Sequence, residues 1–259
     1  MKQALPSAWD EIADVLNDIP VAGERVRYAA TIKALYSLPK RARILEVGCG
    51  SGRLLRALDA LGYEHLVGSE ISHARLKQVS RLGPSSAQLV WCSEVPFATA
   101  TFDAVVSAAV VEHIVDPPGW LAELARVTKR DGIVSITTDT YMWTWLERLG
   151  LYHSIQPIEH GIWPSTLIRW AQCAGLELTG CGGFVNTPDQ RGYFGKQLLR
   201  LVPRTCRLRR WLDRIGSPPT PSDETEAILE AVRDLPGQAR INLWACVLSY
   251  ECYYWFRKR

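Results

Sequence analysis

Five short apolar runs punctuate the first half of the chain: RILEVG from Arg43, HLVGSE from His65, QLVWC from Gln88, FDAVVS from Phe102 and GIVSITT from Gly132. Each is rich in Val, Ile and Leu and too short for an ordinary helix, so each predicts a strand buried on both faces. Helix-like segments separate most of them. That alternation predicts an α/β fold: a mostly parallel sheet, doubly wound with helices on both faces. In such a sheet the ligand lies beyond the carboxyl ends of the strands, near the point where strand order reverses. Chemistry is therefore expected in the residues just after each run.

Ahead of the first strand, Trp9 to Leu16 and Glu24 to Leu35 predict two helices that pack on the sheet or close over its mouth. After the fifth comes the aromatic stretch YMWTWLERLGLYHSIQPIEHGIW, then a helix from about Ser165 to Ala174 and the strand LELTGCGGF. A basic segment runs from Arg191 to Arg214, followed by the linker SPPTPS, a short helix near Glu224 to Val232 and an aromatic C-terminus. The expected division is an N-terminal helical cap over 1–40, an α/β core over 41–185, a basic helical insertion over 186–240 and a C-terminal strand over 241–259 that completes the core.

At 259 residues, 47% apolar and 22% charged, the composition is that of a soluble globular protein. The opening MKQALPSAWDEIADV carries acids and a proline where a signal peptide needs an unbroken apolar stretch, which predicts a cytoplasmic protein. Seven cysteines, odd in number and without a C-x-x-C pair, point neither to a disulfide framework nor to structural zinc. The longest apolar stretch, INLWACVLSYECYYWF, falls short of the roughly 20 residues a spanning helix needs and contains Glu251. A net charge of +3 is too small by itself to imply nucleic acid.

The first run leads into ILEVGCGSGR, with Gly48, Gly50 and Gly52 between strand and helix. A phosphate-binding P-loop would need G-x-x-x-x-G-K-[ST], and neither the lysine nor the hydroxyl follows. A dinucleotide site would need G-x-G-x-x-G, but Arg53 stands where the third glycine permits close helix packing. A bare turn of this kind also serves as a plain strand-to-helix connection.

Glu46, Gly48, Gly50 and Gly52 match, position by position, the first motif of the class I S-adenosylmethionine-dependent methyltransferases, and more narrowly their methyltransferase type 11 branch, which the sequence resembles. The resemblance covers about Arg43 to Thr138. It implies a Rossmann-like methyltransferase fold, a seven-stranded sheet with a helical insertion before the last strand, and S-adenosyl-L-methionine as cofactor. Glycines would let the turn press on the methionyl part, and the helix starting near Gly52 would offer its N–H groups to the carboxylate. VGSEIS then places Glu70 where the family grips the ribose hydroxyls and Ile71 where it packs on adenine; Glu70 also reads as an acid at a helix N-terminus. In CSEVPFATATFDAVVS, Cys92 and Ser93 occupy positions where the family carries an acid, leaving Glu94 as the nearby carboxylate. The backbone of Cys92 to Glu94 would read the base edge, and Glu94 reads equally as a solvated loop acid. Further on, AAVVEHIVDPPGWLAELARVTKRDGIVSITT resembles the family stretch from E-H to P-G-G, with Arg130, Asp131 and Gly132 altering a turn.

Methyl transfer from a sulfonium needs alignment and exclusion of water more than acid–base chemistry, but a hydroxyl acceptor benefits from a base near neutrality. His113, just beyond the fourth strand, is the first candidate; a structural role, bonding a loop carbonyl, stays open beside it. His153 and His160 come second. No metal is expected: relatives that methylate ubiquinone precursors have an E-x-x-E-H arrangement, and Ala109 replaces its first acid. Tyr141, Trp143, Trp145, Tyr152, Trp163 and Trp170 suit either a planar or lipid-like acceptor or an ordinary aromatic core. Between residues 191 and 215, Arg191, Lys196, Arg200, Arg204, Arg207, Arg209, Arg210 and Arg214 face one acid, Asp213, with apolar residues at near-helical spacing. That pattern reads as a peripheral membrane contact or a solvated basic face, and nucleic acid ranks lower because no recognition module accompanies it. The expected function is methyl transfer to a small or lipid-like acceptor, at oxygen; the alternative is a noncatalytic binding or scaffold protein on the same fold.

Overall fold

The five runs form five strands of one seven-stranded sheet whose order is β3-β2-β1-β4-β5-β7-β6. The computed structural model describes residues 6–17, 24–82, 87–91, 95–141, 157, 161–184, 223–235, 241–248 and 251–259. The strands are β1 (Arg43–Val47), β2 (His65–Glu70), β3 (Ala87–Trp91), β4 (Phe102–Ala108), β5 (Thr128–Asp139), β6 (Leu176–Gly183) and β7 (Glu251–Lys258). Strands β1 to β5 pair in parallel, and β7 runs antiparallel between β5 and β6. Chain order reverses at β1, which lies between β2 and β4, so the fold opens its ligand crevice beyond the tips of these three strands.

Alternation along the strands divides the core into two layers. Ile44, Ala104 and Val106 face a layer built with Ala29 and Ile32 of α3 (Arg25–Ala34) and Leu54, Leu55 and Leu58 of α4 (Arg53–Ala60). Leu45, Val47, Val105 and Ile136 face the other layer, with Leu121 and Leu124 of α6 (Pro117–Val127) and Leu167 and Ala171 of α7 (Pro164–Cys173). The remaining helices among the described residues are α1 (Pro6–Glu11), α2 (Ala13–Asn17), α5 (His73–Leu82), α8 (Glu224–Asp234) and α9 (Leu243–Leu248). No helix among the described residues is long and apolar enough to cross a membrane.

Helix α8, which follows the basic segment in sequence, joins the sheet's own helix layer: Ala227, Ile228, Ala231 and Val232 bury against α3 and α4. Arg53, buried at the start of α4, anchors it by bonds to Glu224 (2.9 Å) and to Glu24 ahead of α3 (2.7 Å). Three expectations are corrected. The helix Trp9 to Leu16 is two short helices broken at Ile12, because Trp9 and Asp10 are held by partners across the crevice while Ala13 and Leu16 turn inward. Lys129 to Gly132 lies inside β5, where Asp131 takes a φ of 62° and the register with β4 shifts. Residues 241–259 hold α9 before the closing strand begins at Glu251.

Candidate active site

Beyond Val47 the backbone turns through three glycines of positive φ, 75° at Gly48, 52° at Gly50 and 76° at Gly52. At Gly48 the bend tolerates no side chain, since a Cβ would stand 2.4 Å from Val110 Cγ2. The N–H groups of Gly48 and Cys49 donate to the Ser69 carbonyl at 2.8 and 2.9 Å, tying the bend to the tip of β2. Glu70 completes the tie: Oε2 accepts from Gly50 N–H at 2.7 Å and Oε1 from Ser72 N–H at 2.9 Å. Glu70 therefore points at the glycine bend, and Ile71 follows it half-buried.

Glu46 lies buried at the base of this cradle, and its Oε2 has no hydrogen-bond partner among the described residues. Burial, with the Glu70 carboxylate close by, pushes its pKa well above the ordinary value. An orphaned buried oxygen is the partner a cationic ammonium group would satisfy. Gly52, the residue that caps α4, has no side chain to bond the first-turn N–H groups. Main chain without Cβ atoms, an orphaned acid and an uncapped helix start fit a zwitterionic amino-acid group lying on the bend.

Beyond β4, Val111 to His113 form a single 3-10 turn. Glu112 turns inward, 1% exposed, where it accepts from Thr138 Oγ1 at 2.9 Å and from Asp139 N–H at 3.4 Å. Burial pushes its pKa up to about 7. His113 faces outward against Trp9 of α1, with ring centroids 5.2 Å apart at 64°. The neighbouring Asp10 accepts from Ser72 Oγ at 2.7 Å and from Ala74 N–H at 3.0 Å. Helix α1 thus reaches from the β2 side of the crevice to the β4 side.

Sequence reasoning passed over a cluster that the topology creates. Because β7 returns antiparallel, its first residue, Glu251, pairs with the last residue of β5, Asp139. Arg27 of α3 bonds to Glu251 and stands 3.9 Å from Asp139. Burial raises both carboxyls above their ordinary values, against the opposing pull of Arg27. Asp139 had a signal, since it sits at the tip of a predicted strand. Arg27 and Glu251 had none, being separated by 224 positions.

Cys92, Ser93, Glu94, His153 and His160 lie outside the described residues, as do Trp143, Trp145, Tyr152 and the basic segment. Of the aromatic group, Tyr141 stacks on Trp163 with ring centroids 4.6 Å apart. Trp170 packs against the core.

A family model described as a methyltransferase domain matches residues 22–180. The chain belongs to the class I S-adenosylmethionine-dependent methyltransferases. It is 32% identical over 177 residues to the ubiquinone biosynthesis O-methyltransferase of Methylococcus capsulatus, covering 61% of this chain and 72% of that one. It is 31% identical over 174 residues to the enzyme of the same name from Alkalilimnicola ehrlichii, covering 58% and 67%. A Haloferax volcanii protein solved in complex with the Trm112 methyltransferase activator superposes with a TM-score of 0.64 over 98% of this chain and 97% of that one; at 15% identity the likeness shows the fold. The chain is a methyltransferase whose methyl donor is S-adenosylmethionine, as expected, and the alternative of a noncatalytic protein is set aside.

Glu112 generates a pH test. Its folded pKa of about 7 exceeds the ordinary 4.5, so its contribution to stability is present below 4.5 and lost as pH rises through 7. Glu112→Gln is expected to remove this dependence, gaining on the order of 2–3 kcal/mol relative to wild type between pH 4.5 and 8. Urea denaturation of both proteins at each pH measures it; a constant difference would contradict the assignment.

Proposed function

We propose that this methyltransferase acts on a hydroxyl group of a small or lipid-like acceptor, with the donor seated on the glycine bend and His113 receiving the acceptor's proton. The observation that carries the donor site is the bend itself, tied by Gly50 N–H to a carboxylate on the adjacent strand. In this reading the main chain of Gly48 to Gly52 meets the methionyl carboxylate, and the orphaned oxygen of Glu46 meets its ammonium. Glu70 grips the ribose, Ile71 packs on adenine, and the backbone of Cys92 to Glu94 reads the base edge.

The donor supplies a methyl group on positively charged sulfur: the acceptor oxygen's electron pair forms the new bond to carbon, and sulfur keeps the pair of the bond that breaks. What remains for the protein is alignment, exclusion of water and the proton. Oxygen is favoured because the relatives named above are O-methyltransferases. His113 is favoured because it lies past the tip of β4 with its ring held by Trp9. Tyr141 and Trp163 would form part of the acceptor's apolar wall. A cytoplasmic enzyme that touches membranes through residues 191–215 belongs to the same proposal.

Glu70→Ala is expected to weaken S-adenosylhomocysteine binding at least about tenfold, roughly 1.4 kcal/mol, in calorimetry. Unchanged affinity would refute the ribose role. On a panel of hydroxylated aromatic acceptors, with and without lipid tails, His113→Ala is expected to lower kcat about a hundredfold near pH 7 with little change in KM. Near-normal turnover across the pH range would remove the base. For the membrane contact, co-sedimentation with anionic vesicles is expected at low salt and lost at high salt, and failure to sediment at low salt eliminates it.

A further inference from the structure

We infer that Arg75 binds the carboxylate of the methyl donor, adding a cationic side chain to a site otherwise read as main chain and acids. The inference rests on the proposed seat of the donor on the glycine bend and names the group that recognises its anionic end. Arg75 lies in the first turn of α5, whose start is fixed by Ser72: Arg75 N–H donates to Ser72 Oγ at 3.2 Å, and Ser72 N–H donates to Glu70 at 2.9 Å. From that turn the guanidinium lies directly on the bend. A Cβ built on Gly50 would stand 2.5 Å from Arg75 Nη2, 2.9 Å from Cζ and 3.2 Å from Nη1. Gly50 is thus bare for a second reason besides its φ of 52°, since the guanidinium takes the space a side chain would fill.

Among the described residues Arg75 forms no ion pair, and its buried Nε has no hydrogen-bond partner. The acids of the cradle are not its partners: Glu70 engages the N–H groups of Gly50 and Ser72, one with each oxygen, and Glu46 Oε2 is orphaned. The position is also unfavourable by itself, because a cation in the first turn of a helix meets the positive end of the macrodipole. A local cost of this kind, on a bent main chain kept free of Cβ atoms, is expected where a ligand brings the missing charge. S-adenosylmethionine carries a sulfonium, an ammonium and one carboxylate. Two of these repel a guanidinium, and the carboxylate matches its fork of N–H donors. With Glu46 for the ammonium and Arg75 for the carboxylate, both charges of the donor's amino-acid end meet their opposites at one bend.

The test is calorimetry on the full chain with S-adenosylhomocysteine and with its decarboxylated analogue, which keeps the ammonium and lacks the carboxylate. Arg75→Met is expected to weaken S-adenosylhomocysteine about tenfold or more, and to bind the decarboxylated analogue as tightly as wild type does, or more tightly because a repelling cation is gone. Arg75→Lys is expected to recover part of the loss. Equal losses for the two ligands would make Arg75 a prop of the bend and overturn the assignment, as would an unchanged affinity for S-adenosylhomocysteine. Should Arg75→Met fail to fold, Arg75→Gln is read in its place with the same outcomes. No variant is needed for one further check: a wild-type protein that binds both ligands equally well overturns the carboxylate role. A wild type that binds neither ligand defeats the donor seat itself, whereas a loss in Glu70→Ala without one in Arg75→Met overturns the role of Arg75 alone.

Discussion

The crevice depends on one short hydrogen bond, from Gly50 N–H to the carboxylate of Glu70. It requires β1 and β2 to lie parallel and in register, with Val47 opposite Ser69, so that both strands end at the same height. It also requires a backbone that can turn back immediately, which is why the bend is built on left-handed glycines and why Val110 crowds it. A bulkier bend would stand off from β2, and the acid at the tip of β2 would lose its anchor. With it in place, Glu46 below, the start of α4 beside and Glu70 above set different polar groups around one bend.

Around the other half of the crevice the fold buries charge that it does not fully neutralise. Glu112, Asp139 and Glu251 share the edge of β4, β5 and β7 with the Arg27 guanidinium. Taking carboxylates out of water is costly, and such clusters persist where their geometry serves something other than stability. Here the cluster joins the tips of three strands and the N-terminal part of α3. A second ionic group, Arg53 with Glu24 and Glu224, fixes α3, α4 and α8 to one another on the sheet's outer layer. Between the two sets, α1 spans the mouth, holding His113 through Trp9 and the start of α5 through Asp10.

Much of the core was readable along the chain because a parallel strand buried on both faces must be apolar at nearly every position, and that signal is local. RILEVG, HLVGSE and FDAVVS each became strands with few exposed residues. Boundaries were less readable where backbone irregularity does not mark composition, as at Asp131 within β5 and Ile12 between α1 and α2. The acid and glycines of the bend, and the acid twenty positions after Gly50, were readable because a tight strand-to-helix bend draws on contiguous backbone.

Local periodicity and the spacing of glycines and acids were thus enough to settle the fold class and the family, since each depends on residues near in sequence. The meeting of Arg27, Asp139 and Glu251, the seating of Trp9 on His113 and the docking of α8 against Arg53 came from folding alone. These contacts join residues far apart in the chain, and an antiparallel last strand or a helix laid across a mouth leaves no pattern in the segments it joins. Glu251 shows the difference most plainly: along the chain it is an acid interrupting an apolar stretch, and in space it is the partner of Arg27 at the edge of the crevice.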